Sequence, residues 1–460
     1  MTQPKEETAG RRLYVVSLGC DKNLVDSEVL MGVAERAGCV LTADPEDADV
    51  ILVNTCAFIG PAKEESIDAI LDVARYKKEG RCRMLVVAGC LAQRYPDELA
   101  EELPEVDHFL GTGDLLSFSQ LLAPSAAPRL TIGRPRYLLD ADAPRVAATP
   151  FYTANVKVSE GCSSGCSFCI IPKLRGSQRS RPIDDLAAEV RRLKQRGVSE
   201  ICLIGQDVSA YGLDRKDGTT LARLLREPEL AQGDHWLRLH YLYPRRVDGE
   251  LLDAIGEGEA ILPYFDMPVQ HIDDAILRAM ERRDDEASTR LAVERIRARF
   301  PNGALRTTVI VGFPGETEDR FGRLLDFVAE GHFDRLGAFA YSPEDGTRAA
   351  RLWGRAPEEV VQERLARLME TQREVSRRRL ETLVGQTVDV LVEGPSEESE
   401  LLFAGRMWSQ ARGIDGVAYL VEGKAEVGRI VPVRITEAHD HDVVGRILRR
   451  KPKGHRRGPD

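Results

Sequence analysis

Three short runs rich in β-branched residues, Leu13–Gly19, Val50–Thr55 and Met84–Gly89, are each followed at once by a cysteine: Cys20, Cys56 and Cys90. Helix-like segments, Asn23–Ala37 and Ala62–Tyr76, fill the intervals. Strand then helix, repeated, predicts parallel pairing, because strands that run the same way need a long crossover between them. In an open parallel sheet the carboxyl ends of the strands line one rim, where ligands bind. The pattern therefore puts three thiols on one rim of an N-terminal parallel-sheet βαβ domain, assigned to residues 11–125.

The rest of the chain divides by texture. From Pro124 to Pro150 the sequence is Pro, Ala and Arg without periodicity, which reads as a linker or a loosely packed crossover. A second βα series follows, with strands expected at Ala154–Ser159, Glu200–Gly205, Trp236–Leu242, Tyr264–Val269, Leu305–Gly312 and Arg335–Tyr341. Helices are expected at Ile183–Arg196, Asp273–Ala279, Leu291–Arg299 and Glu318–Glu330. Six strand-helix repeats are too few for an eight-stranded barrel and predict an incomplete (β/α)6 barrel, open along one side, over residues 148–380. A long charged helix, Pro357–Leu383, closes it. Residues 383–450 carry short β-like runs between Gly-rich turns and predict a small all-β barrel. Residues 451–460 form a basic, Pro- and Gly-containing tail with the composition of a disordered segment.

No stretch approaches the ~20 apolar residues that span a membrane, and the start of the chain lacks the apolar run and cleavage site of a secretory signal. A cytoplasmic protein with no membrane partner is expected, so its nine cysteines need an explanation other than disulfides. Cys162, Cys166 and Cys169 lie within eight residues, and Gly161 and Gly165 let that loop turn tightly. Structural zinc normally takes four protein ligands, and no fourth Cys or His stands nearby. Three thiolates suit a [4Fe-4S] cluster whose fourth iron keeps an open position, with zinc bound through a distant fourth ligand, or plain core thiols, as the alternatives. The C-x3-C-x2-C spacing resembles that of radical S-adenosylmethionine (SAM) enzymes, whose open iron chelates the amino and carboxylate groups of SAM. Cys20, Cys56 and Cys90, at equivalent points of successive units, suggest a second three-thiolate site, although one strand-end cysteine by itself is usually a small buried hydrophobe. Cys39, Cys82 and Cys202 lack such placement and read as structural.

Seven motifs in order resemble the methylthiotransferase family: SLGCDKNLVDSE (Ser17–Glu28), NTCAFIG (Asn54–Gly60), VAGCLAQRY (Val87–Tyr95), EGCSSGCSFCIIPKLRG (Glu160–Gly176), FDMPVQH (Phe265–His271), VGFPGET (Val311–Thr317) and YSPEDGT (Tyr341–Thr347). The C-terminal segment looks like the TRAM module that ends these enzymes. The resemblance implies that Cys162, Cys166 and Cys169 hold the SAM cluster, and that Cys20, Cys56 and Cys90 hold an auxiliary [4Fe-4S] cluster that handles sulfur. It implies two SAM per turnover, one the methyl donor and one the source of a 5'-deoxyadenosyl radical that takes hydrogen from an unactivated carbon. In similar enzymes residues at the barrel strand ends hold SAM, which nominates Gln206, Asp207, His240, Gln270, His271 and Gly312. Arg175, Arg179 and Arg181 are candidates for its carboxylate.

Family members modify either an adenosine beside the tRNA anticodon or the β-carbon of an aspartate in the twelfth protein of the small ribosomal subunit. GCDKNLVDS and CAFIGPAKEES, with Ile170, Ile171, Pro172 and Lys173 after the third core cysteine, look like the ribosomal-protein branch. Charge agrees, since Gln386–Gly445 holds eleven Asp or Glu against five Arg or Lys within a chain of net charge -10. That is the wrong sign for an RNA backbone and the right one for a basic protein. The expected activity is thus protein-aspartate methylthiotransfer, with tRNA-adenosine methylthiotransfer as the alternative. A non-catalytic ribosome-binding module with purely structural clusters conflicts with the open three-thiol loop. The expected partners are the basic ribosomal protein, free or in the ribosome, a flavodoxin-like reductant protein and a sulfur donor. The tail residues Arg449, Arg450, Lys451, Lys453, Arg456 and Arg457 read first as a solvated disordered end, with contact to ribosomal RNA as the alternative, and the chain is expected to act as a monomer.

Overall fold

A computed structural model describes residues 10–123, 127–399 and 402–448. The N-terminal sheet has six strands, all parallel, in the order β2-β1-β3-β4-β5-β6. They are β1 (Arg12–Ser17), β2 (Val40–Leu41), β3 (Val50–Thr55), β4 (Met84–Gly89), β5 (His108–Leu110) and β6 (Leu130–Thr131). Every residue of β3 is buried, because helices cover both faces and the strand needs a continuous apolar run rather than an alternating one. β1, β3 and β4 are the three runs that end in cysteine, and they are neighbours in the sheet. The outer strands, β2 at one edge and β5 and β6 toward the other, are two or three residues long, too short for any periodicity to reveal.

The segment expected to be a loose linker is packed across two domains. It contributes β6, buries Leu139, and sends Arg145 to Glu28 of the helix Asp21–Arg36 and Glu189 of the helix Ile183–Gln195, each at 2.6 Å. Glu28 also accepts a hydrogen bond from the Ala148 amide at 2.8 Å. Polar, aperiodic sequence here makes a strap held by ion pairs rather than by a hydrophobic face.

The central region has six parallel strands in two three-stranded sheets. The first sheet holds β7 (Thr153–Lys157), β10 (Glu200–Ile204) and β11 (Trp236–Leu239). The second holds β12 (Tyr264–Asp266), β13 (Ala304–Val311) and β14 (Arg335–Ala340). The sheets meet where Leu237 bridges Ile261 in parallel, so the strands run in sequence order around an open half-barrel. Several strands are shorter than expected: β11 stops at Leu239 rather than Leu242, and β12 at Asp266 rather than Val269. The chain leaves both early to form the rim loops. One helix starts earlier than its apolar pattern, at Glu286 rather than Leu291, because Asp285 caps it with Ser288. A short antiparallel pair, β8 (Ser159–Glu160) and β9 (Arg179–Ser180), brackets the three-cysteine loop.

The C-terminal domain is a closed five-stranded barrel, in the order β15-β16-β17-β19-β18. Its strands are β15 (Thr387–Pro395), β16 (Phe403–Met407), β17 (Ala418–Glu422), β18 (Ile430–Ala438) and β19 (Val443–Ile447), the last unmarked by any turn signal. It packs on the amino ends of the half-barrel strands, where Leu391 and Ala411 join Tyr152, Trp236, Leu262, Tyr264 and Ala304 in one buried cluster. A buried ion pair locks this contact. Arg406 reaches Glu200 at 2.6 Å, and Arg238 holds the other Glu200 oxygen at 2.9 Å. Burial alone would raise the Glu200 pKa, but Arg406 and then Arg238 outweigh it and hold the carboxyl down at about 2. The basic tail lies outside the described residues. No helix among the described residues is long and apolar enough to cross a membrane.

Candidate metal centres and the buried network between them

Each N-terminal cysteine follows the carboxyl end of a central strand. Cys20 caps the helix Asp21–Arg36, Cys56 follows β3, and Cys90 opens the short helix Cys90–Arg94. Glycine makes this approach possible. Gly19 has φ +89°, and a Cβ there would come within 2.8 Å of the Cys56 Cβ. Gly89 has φ +96°, and a Cβ there would meet Asn54 Oδ1 at 2.3 Å. Asn23 then knits the rim together, donating from Nδ2 to the Leu18 carbonyl at 3.0 Å and the Thr55 carbonyl at 2.8 Å.

The second thiol set lies at the carboxyl end of the half-barrel, in the loop between β8 and the helix Ile171–Arg175. Gly161, at φ +79°, leaves no room for a side chain against the Ser177 carbonyl. The Cys162 amide donates to the Gly176 carbonyl at 3.1 Å, and the Ser167 amide to the Met280 carbonyl at 2.8 Å. Cys166 Sγ lies 3.5 Å from the Tyr243 hydroxyl, and the Arg282 guanidinium stacks 3.9 Å from the centre of that same ring.

All nine cysteines are free. Burial pushes the thiols of Cys90 and Cys169 up to about 12, with the other sulfurs of each set adding to the effect. Thiols held protonated in this way release their protons when a metal binds. Among the described residues no three His, Cys, Asp or Glu side chains converge closely enough for a single metal ion. The sulfurs of each set are nonetheless near enough to perturb one another's titration. All-sulfur donors, three to a site and spread wider than one ion, fit an iron–sulfur cluster better than zinc.

Between the sets lies a buried ionic network that spans two domains. Arg175 is 2% exposed. Its guanidinium meets Asp26 Oδ2 at 2.8 Å, Glu160 Oε1 at 3.2 Å, Asn23 Oδ1 at 2.6 Å and Cys90 Sγ at 3.6 Å. Lys157 completes the set, pairing with Asp26 at 2.7 Å and also with Glu160. Two cations thus balance two carboxylates, with Cys90 at one end and Glu160, two residues before Cys162, at the other. Desolvation would raise the Glu160 pKa, but Lys157 and Arg175 outweigh it and hold this carboxyl well below the usual range.

The nominated SAM residues fall into distinct groups. Gln206 donates to Glu160 at 2.8 Å, while its own Oε1 is buried without a partner, as a ligand-facing acceptor would be. His240 Nδ1 is 3.2 Å from Asp266 Oδ2, and Asp266 is held at about 2 because its bond to His240 and the charge of Arg306 outweigh its desolvation. Gln270 sits at φ 69°, inserted by backbone hydrogen bonds between Thr308 and Ile310 of β13. His271 is fully buried, with Nε2 3.4 Å from Glu316. Gly312, at φ +78°, donates its amide to Glu316 Oε1 at 3.1 Å, and a Cβ there would strike Val361.

Three nominees are occupied elsewhere. Asp207 caps the turn Val208–Ala210 and binds Ser164, Ser209 and Arg246. Arg181 is committed to Asp185, Glu189 and the Lys157 carbonyl. Arg179 donates from its two terminal nitrogens to the carbonyls of Tyr137, Arg175 and Ser177, while its Nε is buried without a partner. Arg175, also nominated for a carboxylate of SAM, faces Cys90 together with Asp26 and Glu160.

Residues that pattern reading passed over complete the site: Asn23, Asp26, Lys157, Tyr243 and Arg282, together with Lys22 and Tyr241. The Lys22 ammonium lies 3.6 Å from the centre of the Tyr241 ring. Among the described residues only Tyr241, Gln270 and Glu281 are non-glycine residues with positive φ. Tyr241 and Gln270 stand just past the carboxyl ends of β11 and β12, where such strain marks functional loops.

Comparison with known proteins covers nearly the whole chain. Residues 12–111 match the uncharacterized protein family UPF0004, 156–328 the radical SAM superfamily and 384–448 the TRAM domain. The chain is 49% identical over 449 residues to the ribosomal protein uS12 methylthiotransferase RimO of Anaeromyxobacter sp. (strain Fw109-5), covering 98% of this chain and 96% of that one. It is 48% identical over 446 residues to the protein of the same name from Myxococcus xanthus (strain DK1622), covering 97% and 93%. Among solved structures, the radical S-adenosylmethionine methyltransferase TsrM from Kitasatospora setae shares the fold with a TM-score of 0.55 at 15% identity, over 74% of this chain and 77% of that one.

Proposed function

The chain belongs to the ribosomal protein uS12 methylthiotransferase family, and from that premise we propose that it installs a methylthio group on the β-carbon of an aspartate in the small-subunit protein uS12. The observation that carries the reading is the pair of three-thiol sets, one on each of two domains, joined by the Arg175 network. A structural metal site would close on a fourth ligand, and neither set offers one. When bound, two [4Fe-4S] clusters and two SAM per turnover supply the transferred methyl group, the sulfur and the hydrogen-abstracting radical.

The chain's own residues bind, orient and exclude water. Cys162, Cys166 and Cys169 are assigned to the SAM cluster, and Cys20, Cys56 and Cys90 to the auxiliary one. Tyr243 places its hydroxyl beside Cys166, with the Arg282 guanidinium stacked on the same ring. Arg175 places a guanidinium beside Cys90. Gln206, His240, Gln270, His271 and Gly312 are assigned to the SAM-binding rim, with Gln206 Oε1 the acceptor left free for it. Asp207, Arg179 and Arg181 are assigned to the scaffold around that rim. The Arg175 network fixes the two domains against each other, so the hydrogen-abstracting and sulfur-delivering ends keep one separation during turnover. The domain limits proposed are 11–125, 148–380 and 383–450.

The reading carries partners with it. The substrate is uS12, free or in the ribosome, met in the cytoplasm. A flavodoxin-like protein supplies electrons, a separate donor replaces sulfur, and the chain acts as a monomer. The test is mass spectrometry of uS12 and of tRNA digests from a strain that lacks this protein and from one that regains it. Loss and return of the methylthio mass on uS12 alone is expected. Loss from tRNA with uS12 unchanged would replace the protein substrate with tRNA.

A further inference from the structure

Lys22 is the second residue past Cys20 and is only 9% exposed. Among the described residues the other buried lysine, Lys157, is paired with two carboxylates. Lys22 forms no ion pair among the described residues; its ammonium lies over the Tyr241 ring, which also offers it a side-chain hydrogen bond, with Cys20 and Asp21 close by. Of the acids around it, Asp26 pairs with Lys157 and Arg175 and Asp266 with His240 and Arg306, while Asp21 accepts a 3.5 Å hydrogen bond from the Asn155 side chain and acts on Lys22 without forming an ion pair. An ammonium removed from water without a carboxylate is costly, and an aromatic face offsets only part of that cost. Tyr241 adds a cost of its own, since its φ of 61° is a strained conformation for a bulky residue. Two unfavourable features meeting at one point need a common reason.

Their position supplies one. Lys22 belongs to the rim that carries Cys20, Cys56 and Cys90, while Tyr241 stands at the carboxyl end of β11, at the mouth of the half-barrel. The ammonium therefore lies between the two thiol sets, where a target carbon must sit to be reached from both. In an aspartate side chain the carboxylate is bonded directly to the β-carbon, so holding the carboxylate places the reacting carbon one bond away.

We propose that Lys22, braced by Tyr241, receives the carboxylate of the target aspartate and sets the preference for aspartate over its amide. This rests on the protein-aspartate reading of the function. A charge-assisted hydrogen bond is gained on binding, and the buried cation adds a carboxylate to the aromatic partner it already has.

The experiment compares the full-length, cluster-loaded wild type with Lys22→Met and Lys22→Arg, on two basic peptides identical except for Asp or Asn at the target position. Iron and sulfide content is measured on each preparation. Wild type is expected to modify the Asp peptide far better than the Asn peptide. Lys22→Met should raise KM for the Asp peptide roughly ten- to hundredfold and erase the Asp/Asn discrimination, with iron content unchanged. Lys22→Arg should restore part of both. Unchanged discrimination in Lys22→Met, or a matching loss of iron, would overturn the proposal and assign Lys22 to the auxiliary thiols. If wild type modifies neither the peptides nor intact uS12, the functional reading itself fails, and the carboxylate role falls with it.

Discussion

Replacing Arg175 by Met tests the network that joins the two thiol sets. The change is close to volume-conserving and removes a single charge. Before it, Asp26 and Glu160 face Lys157 and Arg175, two charges of each sign, all buried. After it, two carboxylates share one ammonium, and Asn23 Oδ1 and Cys90 Sγ each lose a donor. Breaking a buried pair from one side costs about 3–5 kcal/mol. Each kcal/mol shifts Tm by roughly 2–4 °C for a domain of 150–250 residues, so the first thermal transition should fall by roughly 6–20 °C. The control is Asp26→Asn in the Arg175→Met background. With one carboxylate neutralised the charges balance again, and the double variant should lose clearly less than the sum of the singles, by about 1 kcal/mol or more. The assay is thermal unfolding followed by near-UV circular dichroism on anaerobic, cluster-loaded protein. A fall below about 2 °C for Arg175→Met, or strict additivity in the double variant, would refute the picture of a charge-balanced unit.

Replacing Cys20, Cys56 and Cys90 together by Ala should remove about half of the bound iron, and so should replacing Cys162, Cys166 and Cys169; an unchanged iron content in either triple variant would contradict two separate centres. Glu200→Gln leaves Arg238 and Arg406 buried without their carboxylate and should cost about 3–5 kcal/mol, seen as faster proteolytic release of the C-terminal barrel. Because the folded pKa of Glu200 is depressed to about 2, its stabilisation is fully present above the ordinary value of 4.5 and is lost only as pH falls through about 2; the barrel should therefore stay docked between pH 7 and 4.5. His235 is buried with neither ring nitrogen bonded, and burial followed by Lys194 lowers its pKa to about 4. The unfolded chain takes up that proton first, so stability should fall as pH drops from about 6.5 to 4, and His235→Phe should flatten this slope in a Tm-against-pH series.

The cysteines were legible because both of their signals are local: a strand end after a β-branched run, and a spacing of eight residues. Four features escaped for physical reasons. β2, β5 and β6 are too short to show alternation, and their pairing comes from the sheet they join. The segment before β7 has no hydrophobic period because Arg145 anchors it through Glu28 and Glu189, partners 117 and 44 residues away. Arg175 reads in sequence as an anion ligand, and the two carboxylates that meet it, Asp26 and Glu160, are 149 and 15 residues away, beyond the reach of any local pattern. Lys22 and Tyr241 lie more than two hundred residues apart in sequence, and nothing in the order of residues announces that they touch.

The placement of the C-terminal barrel acts as a ruler. It sits at the amino ends of the half-barrel strands, while both thiol sets sit toward the carboxyl ends. At about 3.3 Å per residue, the five residues of β7 separate those ends by about 17 Å, and the eight of β13 by about 26 Å. A short peptide can occupy only the reacting end. A partner that also rests on the acidic barrel must be large enough to reach around the enzyme's full height, so intact uS12 can take hold at two places where a peptide has one.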